Sequence, residues 1–455
     1  MEHFPVGAPG RAPCEPLRSP HAAALPKLAA VCLAAAFLGS AAAQTAPPGP
    51  LTLERALHAA QERSQALVAQ DAAAAAARDM GVAARQLPDP MLSVNVTNLP
   101  VDGPDRFSLT RDFMTMRSIG VMQTISARDK RQARAERYER EADVAREARA
   151  LQLTELRRAT AQAWLERCYR QRMVELLQTQ RDEARLQIEA ADAAYRAGRG
   201  PQADVFMARS AVAQIEDRLQ QAESAVANAT ADLARWVGAD LARQPLAGSP
   251  AIMRLQLQDH ALEGALESHP ELAVMAAKEA VARAQAEMAR QDKRPDWNVE
   301  LMYSQRGPAY SNMVSLGVSV PLLWNQKNLQ EREVAARLAM VEQMRAEREE
   351  MRRAHLAEVR RWQQSWRSNL QRLALYDASL MLLAAERTRA ALAAYRGGTG
   401  PLAAVLDARR MDIDTRMERL NLEMDTAALW ARLEYLLPPG HQHAATPATD
   451  RSPEQ

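Results

Sequence analysis

The chain has 455 residues, of which 47% are hydrophobic, yet only 5 Phe, 8 Tyr and 7 Trp, too few large side chains for thick globular cores of that size. Basic and acidic residues nearly cancel, 58 against 56, which leaves no electrostatic footprint for nucleic acid. No Cys/His cluster, nucleophile–base pair or phosphate loop stands out, so no catalytic residue, metal site or cofactor is expected and the chain does not read as an enzyme.

Residues 1–43 read as a leader. Lys27, an apolar stretch from Leu28 to Leu38 and the small residues Ala41-Ala42-Ala43 have the pattern of a Sec signal peptide cleaved before Gln44. Cleavage would remove Cys14 and Cys32 and leave Cys168 in mid-helix, where a buried inert thiol is expected. Val31 stands where a lipidated Cys32 would need a small neighbour, which argues against lipidation. No later run reaches about 18 apolar residues, so no membrane-spanning helix is expected.

A first repeat is assigned to residues 44–245. Leu53-Glu54-Arg55-Ala56-Leu57 opens a short helix, followed by an Ala-rich helix to about Gln86. After Pro88-Asp89-Pro90 the period changes to two: Leu92, Val94 and Val96 alternate with Ser93, Asn95 and Thr97, and Ile119, Val121 and Ile125 alternate with Ser118, Gly120 and Thr124. A β-hairpin over about 90–126 follows, with a long connection at 98–116. Neither Gly nor Pro occurs between Gly120 and Gly198, nor between Pro201 and Gly238, which predicts a long helical hairpin over 128–237. The basic tract Arg128-Asp129-Lys130-Arg131-Gln132-Ala133-Arg134 reads as a solvated helix face, with a surface for anionic lipid as the alternative.

Residues 246–438 repeat this order. Leu262-Glu263-Gly264-Ala265-Leu266 opens a helical segment to about Asp292; Trp297, Val299, Leu301 and Tyr303, then Val314, Leu316, Val318 and Val320, make a β-hairpin over about 296–321. A second helical hairpin is predicted over 325–437, and residues 439–455 form a polar tail expected to be disordered. The duplication is explicit at the two helical turns. Ala193-Ala194-Tyr195-Arg196-x-Gly198-x-Gly200-Pro201-x-Ala203-x-Val205-x-x-Ala208-Arg209 recurs as Ala393 to Arg409, with 11 of 17 positions identical. The return helices keep 3-4 spacing, Val205, Ala208, Val212, Ile215, Leu219 onward and Ile413, Met417, Leu420, Met424 onward, so Met417 and Met424 read as core and not as metal ligands. The predicted fold is mainly α with a small β part.

Four strands with one apolar face suit a tilted crossing of an outer-membrane hydrocarbon layer. Their two open edges are not tolerated in lipid, so they must close with strands of other subunits, and an obligate oligomer follows. The alternative is a half-buried sheet of a soluble protein beside a coiled coil.

The duplicated Tyr-Arg-x-Gly-x-Gly-Pro turn followed by Ala-x-Val, the strand hairpin before each long helix and the leader resemble the TolC-type outer-membrane efflux proteins over essentially the whole mature chain. The resemblance implies a homotrimer with a twelve-stranded transmembrane β-barrel in outer-membrane lipid and a periplasmic α-barrel. It also implies passive export with a periplasmic adaptor and an inner-membrane transporter. It places Tyr195, Gly198, Gly200, Asp204 and Val205, with Tyr395, Gly398, Gly400 and Val405, at the periplasmic tip that docks the adaptor. Asp407 resembles the family's pore aspartate, where three-fold repetition would make an anionic ring; Ala404 and Gly400 stand where a second aspartate and a gating arginine would be expected.

The connection Asn98 to Met116 is similar to that of members serving heavy-metal cation pumps, which gives heavy-metal cations as the expected substrate and multidrug efflux as the alternative. Met114 and Met116 could graze a soft ion, though apolar contact is the plainer role, and His441-x-His443 is a weaker hint still. A periplasmic adaptor would carry one hairpin and not a duplicated rod with strand pairs, and a structural coiled coil would need no period-two segments.

Overall fold

The structure, a computed structural model of the full chain, describes residues 49–248, 250–255 and 269–438. The leader, the tail with His441 and His443, and Leu262 to Leu266 lie outside the described residues. The first half runs α1 (Leu53–Arg63), α2 (Gln65–Ala84), β1 (Met91–Thr97), β2 (Met116–Ile125), α3 (Arg128–Arg196) and α4 (Gln202–Val237). After the single turn α5 (Ala239–Ala242) the order recurs as α6 (Pro270–Gln291), β3 (Trp297–Gln305), β4 (Met313–Ser319), α7 (Gln330–Leu375), α8 (Met381–Arg396) and α9 (Leu402–Glu434). Among the described residues no helix is long and apolar enough to cross a membrane.

The 69 residues of α3 form one unbroken helix, on the order of 100 Å long. It packs between α2, α4 and α6 and buries an Ala-rich stripe with Trp164, Leu177 and Met173. Small side chains let these axes approach closely along the seam. Acidic and basic residues one helical turn apart pair along its surface, as in Arg137–Glu141 at 3.0 Å and Arg140–Glu136 at 3.3 Å. Val205, Ala208, Val212, Ile215 and Leu219 of α4 are all buried in the seam, whereas Met417 and Met424 of α9 pack half-buried against the apolar clusters. Cys168 is half-buried beside the main cluster, and burial pushes its thiol pKa up, away from reactivity.

The main core lies where the start of each half meets the long helices. Leu51 is fully buried and forms a parallel bridge with Leu246, and the Trp164 indole donates to the Leu51 carbonyl at 3.0 Å. In the second half Trp366 donates likewise to the Ile252 carbonyl at 3.1 Å, and Trp430 to the Arg254 carbonyl at 2.9 Å. Large aromatics are thus spent on fastening irregular chain to helix by donating to its carbonyls, of which that of Leu51 also accepts from the Ala247 N–H at 3.3 Å.

Two features differ from the sequence expectation. The second rod begins at Gln330, not near 325, and is interrupted by a π-helical turn over Tyr376–Leu380. The wider turn brings Tyr376 and Asp377 together onto α9: the Tyr376 hydroxyl meets Glu418 at 3.1 Å, and Arg419 Nε meets Asp377 at 2.6 Å. The basic tract is not simply a solvated face. Lys130 is buried, with its ammonium 3.3 Å from Asp292 and 3.2 Å from Asp296, and so locks the start of α3 to the junction of α6 and β3.

Candidate functional site

The four strands form one antiparallel sheet in the order β1-β2-β3-β4. Register aligns Leu92, Val121, Leu301 and Leu316 in one row and Val94, Ile119, Tyr303 and Val314 in the next. Every residue of these rows lies on the same face and is solvent-exposed, Val94 at 74% and Leu316 at 72%. The opposite face is mainly polar, with Met91, Met122, Met302 and Met313 among its serines, threonines and asparagines: the Ser118 and Ser304 hydroxyls are 2.8 Å apart, and Thr124 donates to Asn298 Oδ1 at 2.7 Å. An apolar exposed face backed by a polar one is the inverse of a soluble sheet and the pattern of a barrel wall. Trp297 at one end of β3 and Tyr303 near the other, roughly 20 Å apart along the strand, lie on this same exposed face.

Outside the paired strands, the long connection after β1 is ordered by its own side chains. Asp112 accepts from the Met114 and Thr115 amides, both at 2.9 Å, and buried Thr115 donates to the Asn98 carbonyl at 2.9 Å. Met114 is exposed; Met116 has already entered β2, opposite Thr97.

At the far end of the rods the duplicated turns fold alike. Gly198 and Gly398 adopt φ of 68° and 70°, and each closes the same pair of bonds. Gly198 N–H donates to the Tyr195 carbonyl and Arg199 N–H to the Ala194 carbonyl, both at 2.9 Å; Gly398 and Thr399 do the same to Tyr395 and Ala394 at 3.1 and 2.9 Å. These are Schellman ends, in which a residue without Cβ takes the left-handed position. Gly200 and Gly400 serve differently: an added Cβ would lie 3.4 and 3.1 Å from the Ala194 and Ala394 methyls, so these glycines let the turn close on its own helix. Pro201 and Pro401 follow in extended conformation as the caps of α4 and α9.

The two tips pack side by side through one apolar cluster of Ala191, Val205, Ala208, Leu402 and Val405, with Tyr395 against it. Val205 and Val405 therefore shape the tips from inside, whereas Tyr195 and the backbone around Gly198 and Gly398 are exposed. Asp204 is half-buried in the first turn of α4, where its charge complements the helix N-terminus. Asp407 is exposed on α9 and borders a groove between α4 and α9, about 250 Å³ in volume, whose polar lining includes Gln214, Arg218 and Arg410. Ion pairs between Arg218 and Asp414 at 2.7 Å and between Arg409 and Glu183 at 3.0 Å tie the hairpins together above the tips. The tips and the strands are legible in the sequence; the tryptophan anchors and the Lys130 lock are not, because their partners lie in distant segments.

Residues 261–437 match the sequence profile described as outer membrane efflux protein. The match lies in the second half of the chain. The described fold as a whole is that of TolC-type channels. A membrane protein from Pseudomonas aeruginosa matches with a TM-score of 0.73 at 16% identity, over 85% of this chain and 90% of that one. VceC of Vibrio cholerae matches with a TM-score of 0.67 at 17% identity, covering 84% and 95% of the two chains. CusC matches with 0.70 at 13% identity, covering 84% and 91%. No sequence among curated proteins matches. CusC is described as forming a transmembrane channel.

Proposed function

We propose that this chain is the outer-membrane channel subunit of a tripartite efflux system. Three copies close into a twelve-stranded barrel and an α-helical tube reaching through the periplasm, and export through it is passive. The observation that carries this reading is a sheet whose apolar face is exposed and whose outer edges, on β1 and β4, are open, mounted on rods with matched tips. Open edges in lipid require strands from other copies. Each chain contributes two repeats, residues 44–245 and 246–438, behind a cleaved leader of 43 residues.

The tips at Gly198 and Gly398 dock the adaptor's helical hairpins, because bare backbone at a tight turn permits close approach. Asp407, repeated about the axis, forms an anionic ring that favours cations at the periplasmic mouth. The cargo in this reading is heavy-metal cations, supported by the likeness of the connection at 98–116 to channels of metal pumps. The test is growth of a strain lacking the gene on copper, silver, zinc, cobalt and cadmium beside dyes and antibiotics. Selective metal sensitivity restored by the gene is expected; sensitivity to organic compounds alone would sink the metal cargo and leave a multidrug channel.

A further inference from the structure

Midway along the second rod lies a cluster that neither the tips nor the sheet explains. His269 caps the N-terminus of α6, Glu271 sits in its first turn, and His355 projects from α7. One ligand-type atom from each residue lies within 4.8 Å of the other two, and the imidazole centroids are 3.9 Å apart. Glu271 Oε2 is 3.9 Å from His355 Nδ1. Both histidines are buried, His355 with only 8% of its surface exposed, and its Nε2 has no hydrogen-bond partner. His269 Nδ1 takes only a long bond, 3.3 Å, from the Glu271 amide. A buried imidazole nitrogen without a partner costs free energy and needs a reason.

The surroundings add a second observation. A cavity of about 420 Å³ opens beside the cluster, lined by Glu155, Glu358, Arg158 and Arg432 as well as the three residues themselves. Glu155, Glu271 and Glu358 outnumber the two arginines, so the pocket carries a negative balance. Burial lowers the pKa of both imidazoles, His269 to about 3 by burial first and by its neighbour His355 second. Two neutral imidazoles and one carboxylate are a borderline donor set, and tetrahedral zinc needs ligand atoms about 3.4 Å apart, within small side-chain adjustments of this arrangement.

We propose that His269, Glu271 and His355 form a binding site for a borderline divalent transition-metal ion, zinc being the type case, with a fourth position open to the cavity. The ion would fasten the start of α6 to the middle of α7. The site is independent of the exported cargo: it would stand in a channel for organic compounds and could be absent from a metal exporter.

The test uses the full chain, purified without a polyhistidine tag and carrying H441A and H443A so that the tail adds no background. Zinc chloride is titrated against a fluorescent chelator, with cobalt(II) absorption reporting the donor set. One zinc per chain is expected. Glu271→Gln and His355→Gln should each weaken it by on the order of 10–100-fold or more. Glu271 is half-exposed and its amide replacement is isosteric, so that variant reads the site even where a histidine variant fails to fold. Absence of bound zinc in the parent chain at micromolar metal, or equal affinity in folded Glu271→Gln, would overturn the proposal.

Discussion

The two long helices arise from the same repeat and have opposite fates in the subunit. In the first half α3 is unbroken and buries side chains along its whole length, from Lys130 near its start to Ala191 near its tip. In the second half α7 buries only Val334, His355, Val359, Trp366 and Leu373, and α8 buries none. Leu375, Leu380, Leu382 and Leu383 are all exposed around the π turn. One sequence pattern therefore makes both a central strut and a flank whose apolar side chains lack a partner within the chain. In the proposed assembly a flank of that kind would be completed by another subunit, as the open sheet edges would be for the strands.

The largest effects should come where the two halves are fastened alike. Trp164→Ala removes a fully buried indole and leaves the Leu51 carbonyl with only the longer bond from the Ala247 N–H at 3.3 Å, which should cost about 3–5 kcal/mol; Trp366→Ala should cost somewhat less, and thermal unfolding of the purified protein reads both. Next comes a contrast between the helices. Leu177→Ala should destabilise the subunit itself by about 2–5 kcal/mol, whereas Leu383→Ala should leave subunit helicity unchanged and loosen only the oligomer, seen as dissociation on unheated gels. Equal effects on subunit stability would break the comparison. Lys130→Ala strands the partly buried Asp296 carboxylate and leaves Asp292 with only Arg134 at 3.7 Å, and should cost about 2–4 kcal/mol, measured in the same unfolding experiment. Smallest are the tips: Gly198→Ala and Gly398→Ala each force a Cβ into a left-handed position for about 1 kcal/mol, and near-equal shifts of the melting temperature would confirm that the two turns are one motif.

Much of this fold was readable in the residues because its elements advertise themselves locally. Alternation of Leu92, Val94 and Val96 with polar neighbours specifies a strand face, and a helix free of Gly and Pro that ends at Gly198 specifies both rod and turn. The repeated turn reveals the duplication without any structure. What stayed hidden depends on contacts between distant segments. Lys130 looks like part of a solvated basic tract until Asp292 and Asp296 are beside it, and the tryptophans look like generic core until their indoles are seen to hold backbone carbonyls. The π turn leaves no mark because Tyr376 to Leu380 has ordinary helical composition; the wide turn is visible only once Asp377 is paired with Arg419. His269 and His355 fall far apart in sequence and meet only because α6 packs on α7. Within the tip, Val205 and Val405 carry the same motif as the glycines but prove to be interior, a distinction that spacing alone does not make.

The claim on which the rest depends is that this subunit closes its sheet with other copies. Native mass spectrometry of the protein extracted in detergent from outer membranes tests it directly. The account predicts a three-chain complex that persists until denaturation; a stable single chain in that extract, with β1 and β4 still open, would contradict it.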